Sequence, residues 1–186
     1  MLGEDFAAAL DGARQADERA FALLYRDAHP PLLRYLRGMS GEYAEDADAV
    51  AWYEPARGLD RCLGPEPAFR AWLFAIARRK LIDRIRYETR RPSASWDDLE
   101  LVGPVTRDVA EDVVDADSTQ HALALVRTLP RDQAEAVLLR VVADLDYADV
   151  AQIMDRTPGA VRVLVHRGLR RLEQELATRR TGGVTP

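Results

Sequence analysis

The chain has 186 residues, of which 47% are hydrophobic and 31% charged, and its formal net charge is −5. This length suits one domain or two small ones and excludes a large enzyme with a deep cleft. The single cysteine, Cys62, excludes an internal disulfide and favours a reducing, cytoplasmic location. We expect no signal peptide, because the first residues carry acids and lack an apolar segment. We also expect no membrane insertion, because no apolar run reaches the roughly 18 residues that span a bilayer.

Apolar residues recur at helical spacing along most of the chain, and the alternation typical of strands is rare. The sequence therefore predicts an all-α fold. The first amphipathic segment runs from Phe21 to Leu36, and the Pro30-Pro31 pair predicts a bend within it. The second runs from about Tyr43 to Cys62, and Pro55 predicts that its helix kinks or ends just before that residue.

A third amphipathic segment follows residues 64–67, lasts to about Tyr87 and is strongly basic. Between Arg70 and Arg91, eight basic residues stand against two acidic ones. A basic helix face is typical of phosphate binding, and the alternative is an ordinary solvated face. We interpret Trp72 as a core residue, and Phe69 as better placed to hold an unpaired base. The predicted core stripe consists of Phe69, Trp72, Leu73, Ile76, Leu81, Ile82 and Ile85.

The segment after Arg91 has a different character. Up to Ser118 it carries eight acidic residues and one basic residue, with turn-forming residues and weak periodicity, which indicates a linker. Helical periodicity then returns from about Gln120, and residues 156–180 carry seven basic and two acidic side chains. We therefore predict two small helical domains, over residues 1–90 and 119–178, joined by an acidic linker over 91–118 and followed by a disordered tail over 179–186.

The most specific motif is a predicted helix-turn-helix between Asp146 and Leu172. Asp146 is suited to cap a short helix, and Thr157 to cap the next one, with Pro158 at its first position. The second helix of such a pair enters the major groove of DNA, whereas the alternative is an ordinary helical hairpin. The buried stripe of that helix should consist of Val161, Leu164, Val165, Leu169, Leu172 and Leu176.

The opposite face of this second helix carries the candidate DNA contacts. Arg162, His166 and Arg170 follow one another there at four-residue steps. Arg167 and Arg171 are placed to bind phosphates. The N-terminal end, where base edges are usually read, consists of Thr157, Gly159, Ala160 and Arg162.

Several of these segments resemble the extracytoplasmic-function (ECF) sigma factors. Residues 129–140, LPRDQAEAVLLR, followed by YADVA and then TPGAVRV from Thr157, resemble region 4, which binds the −35 promoter element. Residues 68–79, AFRAWLFAIARR, with Asp83, resemble regions 2.3 and 2.4, which melt and read the −10 element. Glu45-Asp46 and the RGLDR sequence that follows Ala56 resemble parts of region 2.2, which docks on the polymerase clamp.

The resemblance implies a sigma factor without a cofactor and without catalysis of its own. Its implied partners are core RNA polymerase, through the clamp and the flap, promoter DNA and, as a candidate third partner, an anti-sigma factor. The implied −35 contacts are Pro158 and Val163, together with the eight residues named above for the second helix: Thr157, Gly159, Ala160, Arg162, His166, Arg167, Arg170 and Arg171. The implied −10 contacts are Leu63, Gly64, Glu66, Phe69, Arg70, Arg78, Arg79, Lys80, Asp83 and Arg86. The implied polymerase contacts are Glu45, Asp46, Asp48, Trp52 and Arg57.

Three features depart from the family pattern. Val50 stands where an acidic polymerase contact is usual, and Pro55 interrupts the same helix. Asp144 and Asp155 stand where glycine is frequent at helix ends. We expect both aspartates at positive φ, which aspartate tolerates better than most residues.

Other kinds of chemistry find little support in the sequence. The three histidines are scattered, so we expect no metal site, and no phosphate-binding glycine loop is present. A stand-alone helix-turn-helix regulator is one alternative, but it leaves the basic Trp72 helix and the acidic linker without a role. A helical enzyme using linker carboxylates with a metal is a second, and no ligand spacing supports it.

Overall fold

The computed structural model describes residues 1–59, 62, 64–89 and 113–182. These ranges contain helices and turns without a strand, so the all-α prediction is confirmed. Leu63, residues 90–112 of the linker region and the last four residues of the tail lie outside the described residues. The helices are a 3₁₀ turn at Gly3–Asp5, α1 (Phe6–Arg14), α2 (Glu18–Met39), α3 (Ala44–Gly58), α4 (Glu66–Thr89), α5 (Val113–Val126), α6 (Arg131–Val137) continued by a π-helical turn (Leu138–Val142), α7 (Tyr147–Met154) and α8 (Pro158–Gly182).

Helices α1 to α4 form the N-terminal bundle, with α2 packed against the other three. The side chain of Asp17 caps α2 by accepting a hydrogen bond from the backbone N–H of Arg19 at 2.9 Å. The sequence analysis did not predict α1, whose nine residues are held by tertiary contacts. Its Phe6 ring lies 5.7 Å from the Phe69 ring of α4, and both residues are buried.

The prolines inside α2 and α3 do not end these helices. Helix α2 continues through Pro30 and Pro31, and α3 continues three residues beyond Pro55 to Gly58. The expectation that α3 could end before Pro55 is therefore wrong. Each proline removes one backbone hydrogen bond, but Pro31 and Pro55 are buried, and burial of their rings offsets part of that loss.

The C-terminal half consists of α5 to α8, and it begins earlier than expected. Helix α5 starts at Val113, seven residues before the predicted return of periodicity at Gln120. The last residues assigned to the linker, 113–118, are therefore helical. Three residues of α5 and the turn after it, Leu123, Val126 and Leu129, are buried.

The predicted helix-turn-helix is present as α7 and α8, with the predicted caps. The Asp146 carboxylate accepts hydrogen bonds from the backbone N–H groups of Ala148 and Asp149, both at 2.8 Å. The Thr157 hydroxyl accepts one from Ala160 at 3.2 Å. Asp144 and Asp155 have φ of +52° and +55°, as expected, so each reverses the chain after a helix.

The two halves pack against each other. Helix α2 contacts α5, α6 and the π-helical turn, and α4 contacts α7. Gly38 of α2 makes the close approach possible, because a Cβ there would lie 2.7 Å from Leu138 Cδ1 and 3.3 Å from Leu123 Cδ2. Among the described residues, no helix is both long enough and apolar enough to cross a membrane.

Candidate nucleic-acid and polymerase interface

The outer face of α8 presents the whole set of predicted −35 contacts to solvent. All ten of these residues are exposed. On the inward side of α8, Val161 and Val165 are buried. Their packing fixes the orientation of the helix and therefore of its outer face. The exposed residues are Thr157, Pro158, Gly159, Ala160, Arg162, Val163, His166, Arg167, Arg170 and Arg171.

Tyr147, the first residue of α7, packs against the N-terminal part of α8. The guanidinium carbon of Arg162 lies 5.1 Å from the centre of the Tyr147 ring, and that of Arg140 lies 5.4 Å from the same ring. A cation held over an aromatic ring is restricted in its rotamers. The sequence analysis did not predict that Tyr147 contacts Arg162. The local sign of it was an aromatic residue directly after the Asp146 cap.

The outer face of α4 carries part of the predicted −10 set. Arg79 and Lys80 both contact the Glu54 carboxylate of α3, at 2.9 and 2.8 Å, and these ion pairs lower the pKa of Glu54. Asp83 is exposed, and Arg86 is half-buried. Arg79 also lines an open groove of about 740 Å³ between α3 and α4, whose lining includes Trp72. Trp72 is half-buried, so it is both a packing residue and a wall of this groove.

Two other predicted −10 residues, Phe69 and Glu66, lie in the interior of the N-terminal bundle. Phe69 is 2% exposed and packs between Phe6 and Trp72, at ring distances of 5.7 and 6.2 Å. Its predicted role in holding an unpaired base therefore does not fit this conformation, because no face of the ring is free. The Glu66 carboxylate accepts hydrogen bonds from the backbone N–H groups of Leu2 and Gly3, at 3.0 and 2.9 Å. Gly64, by contrast, is exposed.

Arg70 and Arg78 face the C-terminal half rather than solvent. Arg70 is 5% exposed, contacts Asp27 at 3.2 Å and donates to the carbonyl oxygen of Ala143 at 3.4 Å. Arg78 contacts the buried carboxylate of Glu135 at 2.6 Å. Both predicted DNA contacts are thus occupied by groups of the protein itself.

The predicted polymerase contacts on α3 divide into exposed and buried residues. Glu45, Asp46 and Arg57 are exposed. Asp48 and Trp52 are 7% and 6% exposed, so direct contact with a partner does not fit this conformation for either. Val50, on the same helix as Glu45 and Asp46, is 48% exposed. With Asp46 it lines a groove of about 480 Å³ between α3 and α4.

Asp48 has a structural partner instead, in His29 of α2. Its Oδ2 lies 3.0 Å from His29 Nε2, and the His29 ring stacks on Tyr25 at 4.6 Å. The Tyr25 ring in turn lies 4.8 Å from that of Trp52. Burial raises the pKa of Asp48, and the neighbouring His29 opposes part of that rise. This cluster fixes α3 against α2 behind the exposed acidic end of α3.

Comparison with known proteins assigns both halves to one family. Residues 24–91 match the family described as Sigma-70 region 2, and residues 120–172 match Sigma-70, region 4. The ECF RNA polymerase sigma factor ShbA of Streptomyces griseus is 30% identical over 175 residues, covering 86% of this chain and 89% of its own length. The chain belongs to the ECF sigma factors.

A second ECF sigma factor agrees with this assignment. The ECF RNA polymerase sigma factor SigD of Mycobacterium tuberculosis is 29% identical over 182 residues, covering 95% of this chain and 86% of its own. The fold is similar to that of the sigma factor RpoE of Bartonella quintana, solved in complex with the anti-sigma factor NepR, with a TM-score of 0.62 and 22% identity. That similarity covers 84% of this chain and 96% of the other.

This ECF sigma factor is an alternative sigma factor that directs the initiation of transcription. The region 2 match accounts for the N-terminal half, which a stand-alone helix-turn-helix regulator left unexplained. Across the described ranges, no group of three or more histidine, cysteine, aspartate or glutamate side chains is placed to hold a metal ion.

The sequence analysis missed the residues that join the two halves of this sigma factor: Tyr35, Gly38 and Glu135. Glu135 had a weak signal, because it is a charged residue between Ala134 and Ala136 in an otherwise apolar stretch. Nothing local in the sequence indicated that its partners lie in α2 and α4.

Proposed function

We propose that α8 reads the −35 promoter element and that the α3–α4 side of the first half binds the separated −10 strand. The observation that carries this proposal is the uninterrupted exposure of the predicted reading face of α8. The N-terminal end of this face, from Thr157 to Arg162, is exposed at each predicted contact, as a helix needs when it enters a major groove.

At the −35 element, Arg162 is the strongest candidate for reading a base. It lies in the first turns of α8, and Tyr147 restricts its side chain. An arginine in this position can form two hydrogen bonds with the edge of a guanine. Arg167 and Arg171, further along the helix, are suited to phosphates, which fix register without reading sequence.

At the −10 element, the candidate surface is the outer face of α4 and the adjoining groove. Arg79 brings positive charge to the groove lined by Trp72, and Lys80 contacts Glu54, which lines the same groove. A basic edge with an aromatic wall suits a single strand, since phosphates bind the charges and bases stack on rings. Glu54 neutralises part of this charge in the free protein and would compete with DNA for both cations.

The exposed end of α3 is the candidate polymerase contact. Glu45 and Asp46 are exposed in its first turn, and Arg57 is exposed near its other end. We assign this surface to the polymerase clamp, and the C-terminal half to the flap. The exposed Val50 would add an apolar contact where the family usually has an acid. The catalytic chemistry of transcription would belong to the polymerase, and the protein would act in the cytoplasm.

An anti-sigma factor is a further candidate partner. The similar Bartonella quintana protein was solved in complex with one, and that likeness motivates the proposal for this chain. Such a partner would compete with polymerase for one or both halves. Co-purification of a tagged full-length chain, followed by displacement with core polymerase, would test it.

The decisive experiment is initiation with core RNA polymerase on a library of random DNA fragments. Sequencing the 5′ ends of transcripts should reveal start sites that share one upstream −35 and one −10 motif. Arg162→Ala should alter the −35 motif while Glu18→Gln, an exposed change on α2, should leave both motifs intact. Transcripts without a shared motif, or no dependence on the added protein, would overturn the proposed function.

A further inference from the structure

The chain segment between α3 and α4 borders the candidate −10 groove. Gly58, the last residue of α3, lines that groove, and the segment continues directly from it. The structure describes Leu59, Cys62 and residues 64–65 of this α3–α4 connection. Leu59 and Cys62 are buried, whereas Gly64 is exposed. Because the connection starts beside a residue that lines the groove, its conformation determines the shape of that end.

Arg14, the last residue of α1, binds this connection. Its Nη2 donates a hydrogen bond to the carbonyl oxygen of Cys62 at 2.6 Å, and its Nη1 contacts the Asp11 carboxylate of the same helix at 2.9 Å. A hydrogen bond from a charged donor is stronger than one between neutral groups. The Cys62 side chain packs in the hydrophobic core. The connection is therefore held at one residue by both a buried side chain and a bonded carbonyl group.

The N-terminal residues bind the connection at a second place, where it joins α4. Glu66, the first residue of α4, is 8% exposed, and its carboxylate accepts hydrogen bonds from the backbone N–H groups of Leu2 and Gly3. The Arg14 and Glu66 contacts join parts of the chain that are 48 to 64 residues apart. The conformation of the connection therefore depends on α1 and the turn before it, and not only on α3 and α4.

We infer that Arg14 positions the α3–α4 connection for recognition of the −10 strand, by holding the carbonyl oxygen of Cys62. A segment that is already held in its binding conformation loses less entropy when DNA binds than a free segment does. Helix α1 precedes residues 24–91, so the match to Sigma-70 region 2 does not include Arg14. The inference rests on the proposed function, since the groove is relevant only if the α3–α4 side binds the −10 strand.

A purely structural role for Arg14 has different consequences. If Arg14 only stabilised the N-terminal bundle, its loss would lower the free energy of unfolding and weaken every activity that needs the folded protein. A positioning role predicts a local effect, in which the connection moves and −10 recognition is lost while α8 still binds the −35 element. The experiment therefore measures the connection, the −10 strand and the −35 duplex separately.

Three variants of the full-length protein distinguish these roles. Arg14→Ala removes the hydrogen bond to Cys62, and Arg14→Met, which keeps the apolar stem, replaces it if helix content is lost. Arg14→Lys keeps a charged N–H donor, which is all that a single carbonyl contact requires. Arg19→Ala removes an exposed arginine of α2, so it controls for the loss of one positive charge from the same bundle. Circular dichroism and urea unfolding check that each variant is folded.

The thiol of Cys62 reports on the connection directly, because it is the single cysteine of the chain. Burial raises the pKa of the Cys62 thiol, and the Arg14 guanidinium opposes part of that rise. Loss of Arg14 therefore lowers the thiolate fraction, which by itself slows the reaction with a disulfide reagent. Arg14→Ala should nevertheless react at least about tenfold faster under native conditions, because the connection opens and exposes the thiol. Arg14→Lys and Arg19→Ala should react at the rate of the parent.

Recognition of the −10 strand is measured with holoenzyme assembled from core RNA polymerase and each variant. One probe is a short single strand that carries the −10 motif shared by transcripts of the parent, and the other is a duplex with the −35 motif. If the connection keeps its binding conformation in one molecule in ten of Arg14→Ala, the affinity for the single strand falls about tenfold. Arg14→Lys should restore most of that affinity, and Arg19→Ala should match the parent. All variants should bind the duplex equally well.

The results separate the positioning role from the proposed function. Rapid labelling of Cys62 together with a selective loss of single-strand affinity, both reversed in Arg14→Lys, would support the inference. Parent-like labelling or parent-like single-strand affinity in Arg14→Ala would overturn it, as would an equal effect of Arg19→Ala or the absence of rescue by Arg14→Lys. An equal loss on strand and duplex would also overturn it, because the role of Arg14 would then be purely structural. A parent whose transcripts share no −10 motif would instead overturn the proposed function.

Discussion

The Arg162 guanidinium lies over the ring of Tyr147, 5.1 Å from its centre, so the first helix of the helix-turn-helix holds a side chain of the second. The contact joins the start of α7 to the exposed face of α8. A base-reading arginine that is already restricted loses less entropy on binding than a free one. The same ring also contacts Arg140, which is not among the predicted −35 contacts.

Arg162→Ala should relax the choice of −35 sequence by about 1–3 kcal/mol, because a bidentate contact with a guanine edge is lost. Arg171→Ala should instead weaken binding to all sequences and lower the salt slope by about 0.9 for one phosphate contact on duplex DNA. Binding of both variants to specific and random duplexes across a salt series measures the difference. Equal loss of affinity on both duplexes for Arg162→Ala would show that Arg162 binds phosphate.

Tyr147→Leu should weaken −35 binding by about 0.5–1 kcal/mol, because the ring that holds Arg162 is lost. Tyr147→Phe keeps a ring and serves as the matched control, with affinity close to that of the parent. Both are measured with the same specific duplex. If the two variants bound equally well, the ring would have no part in positioning Arg162.

Gly168→Ala should destabilise the C-terminal half, because α6 and α8 approach each other closely at that residue. An added Cβ would lie 2.7 Å from Val137 Cγ2 and 3.3 Å from the carbonyl oxygen of Gln133. Overpacking of this kind costs about 1–3 kcal/mol, more than the roughly 1 kcal/mol that alanine contributes to a helix. Urea unfolding monitored by circular dichroism measures the change.

Gly159→Ala is the matched control for that substitution. Gly159 lies on the same helix, but a Cβ there meets nothing within 4 Å, so its replacement should be neutral or stabilising. A loss of stability at Gly159 equal to that at Gly168 would contradict the packing argument.

Asp155→Gly should be neutral or stabilising, because Asp155 has φ of +55° at the turn between α7 and α8. Glycine adopts this conformation without the Cβ penalty that L-residues carry, about 1–2 kcal/mol. Asp144→Gly, at φ of +52°, should behave similarly apart from the loss of its 3.3 Å contact with Arg140. Thermal unfolding of both variants measures the effect, and a clearly lower Tm for Asp155→Gly would contradict it.

The stability of the N-terminal bundle should depend on pH through Asp48. Burial raises the pKa of Asp48, so the folded state binds its proton more tightly than the unfolded state does. The Asp48 contribution to stability therefore falls as pH rises from the ordinary carboxyl value, about 4, through the raised folded value. The difference in unfolding free energy between the parent and Asp48→Asn, measured from about pH 4 to 5.5, should change with that sign. A difference that stays constant across this range would contradict it.

The sequence alone was sufficient for features that depend on neighbours along the chain. The caps at Asp146 and Thr157, the positive φ at Asp155 and the outward position of Arg162 follow from local hydrogen bonding, backbone sterics and a 3.6-residue period. Helical periodicity also predicted a buried stripe on α8, of which Val161 and Val165 are buried. These interactions act between residues close together in the chain, so they can be predicted from the sequence. The stripe prediction is wrong for Leu169 and Leu176, which are 39% and 48% exposed because no described helix covers that end of α8.

Tertiary structure decided which of the charged and aromatic candidates remain on the surface. Arg78 and Arg79 are adjacent in sequence, yet Arg78 contacts buried Glu135 and Arg79 is exposed beside Glu54. Phe69 became a core residue through Phe6, on a helix that periodicity did not predict. In each case the deciding partner lies 25 to 63 residues away in the chain. Burial depends on which helices meet across the fold, and local propensity carries no information about that pairing.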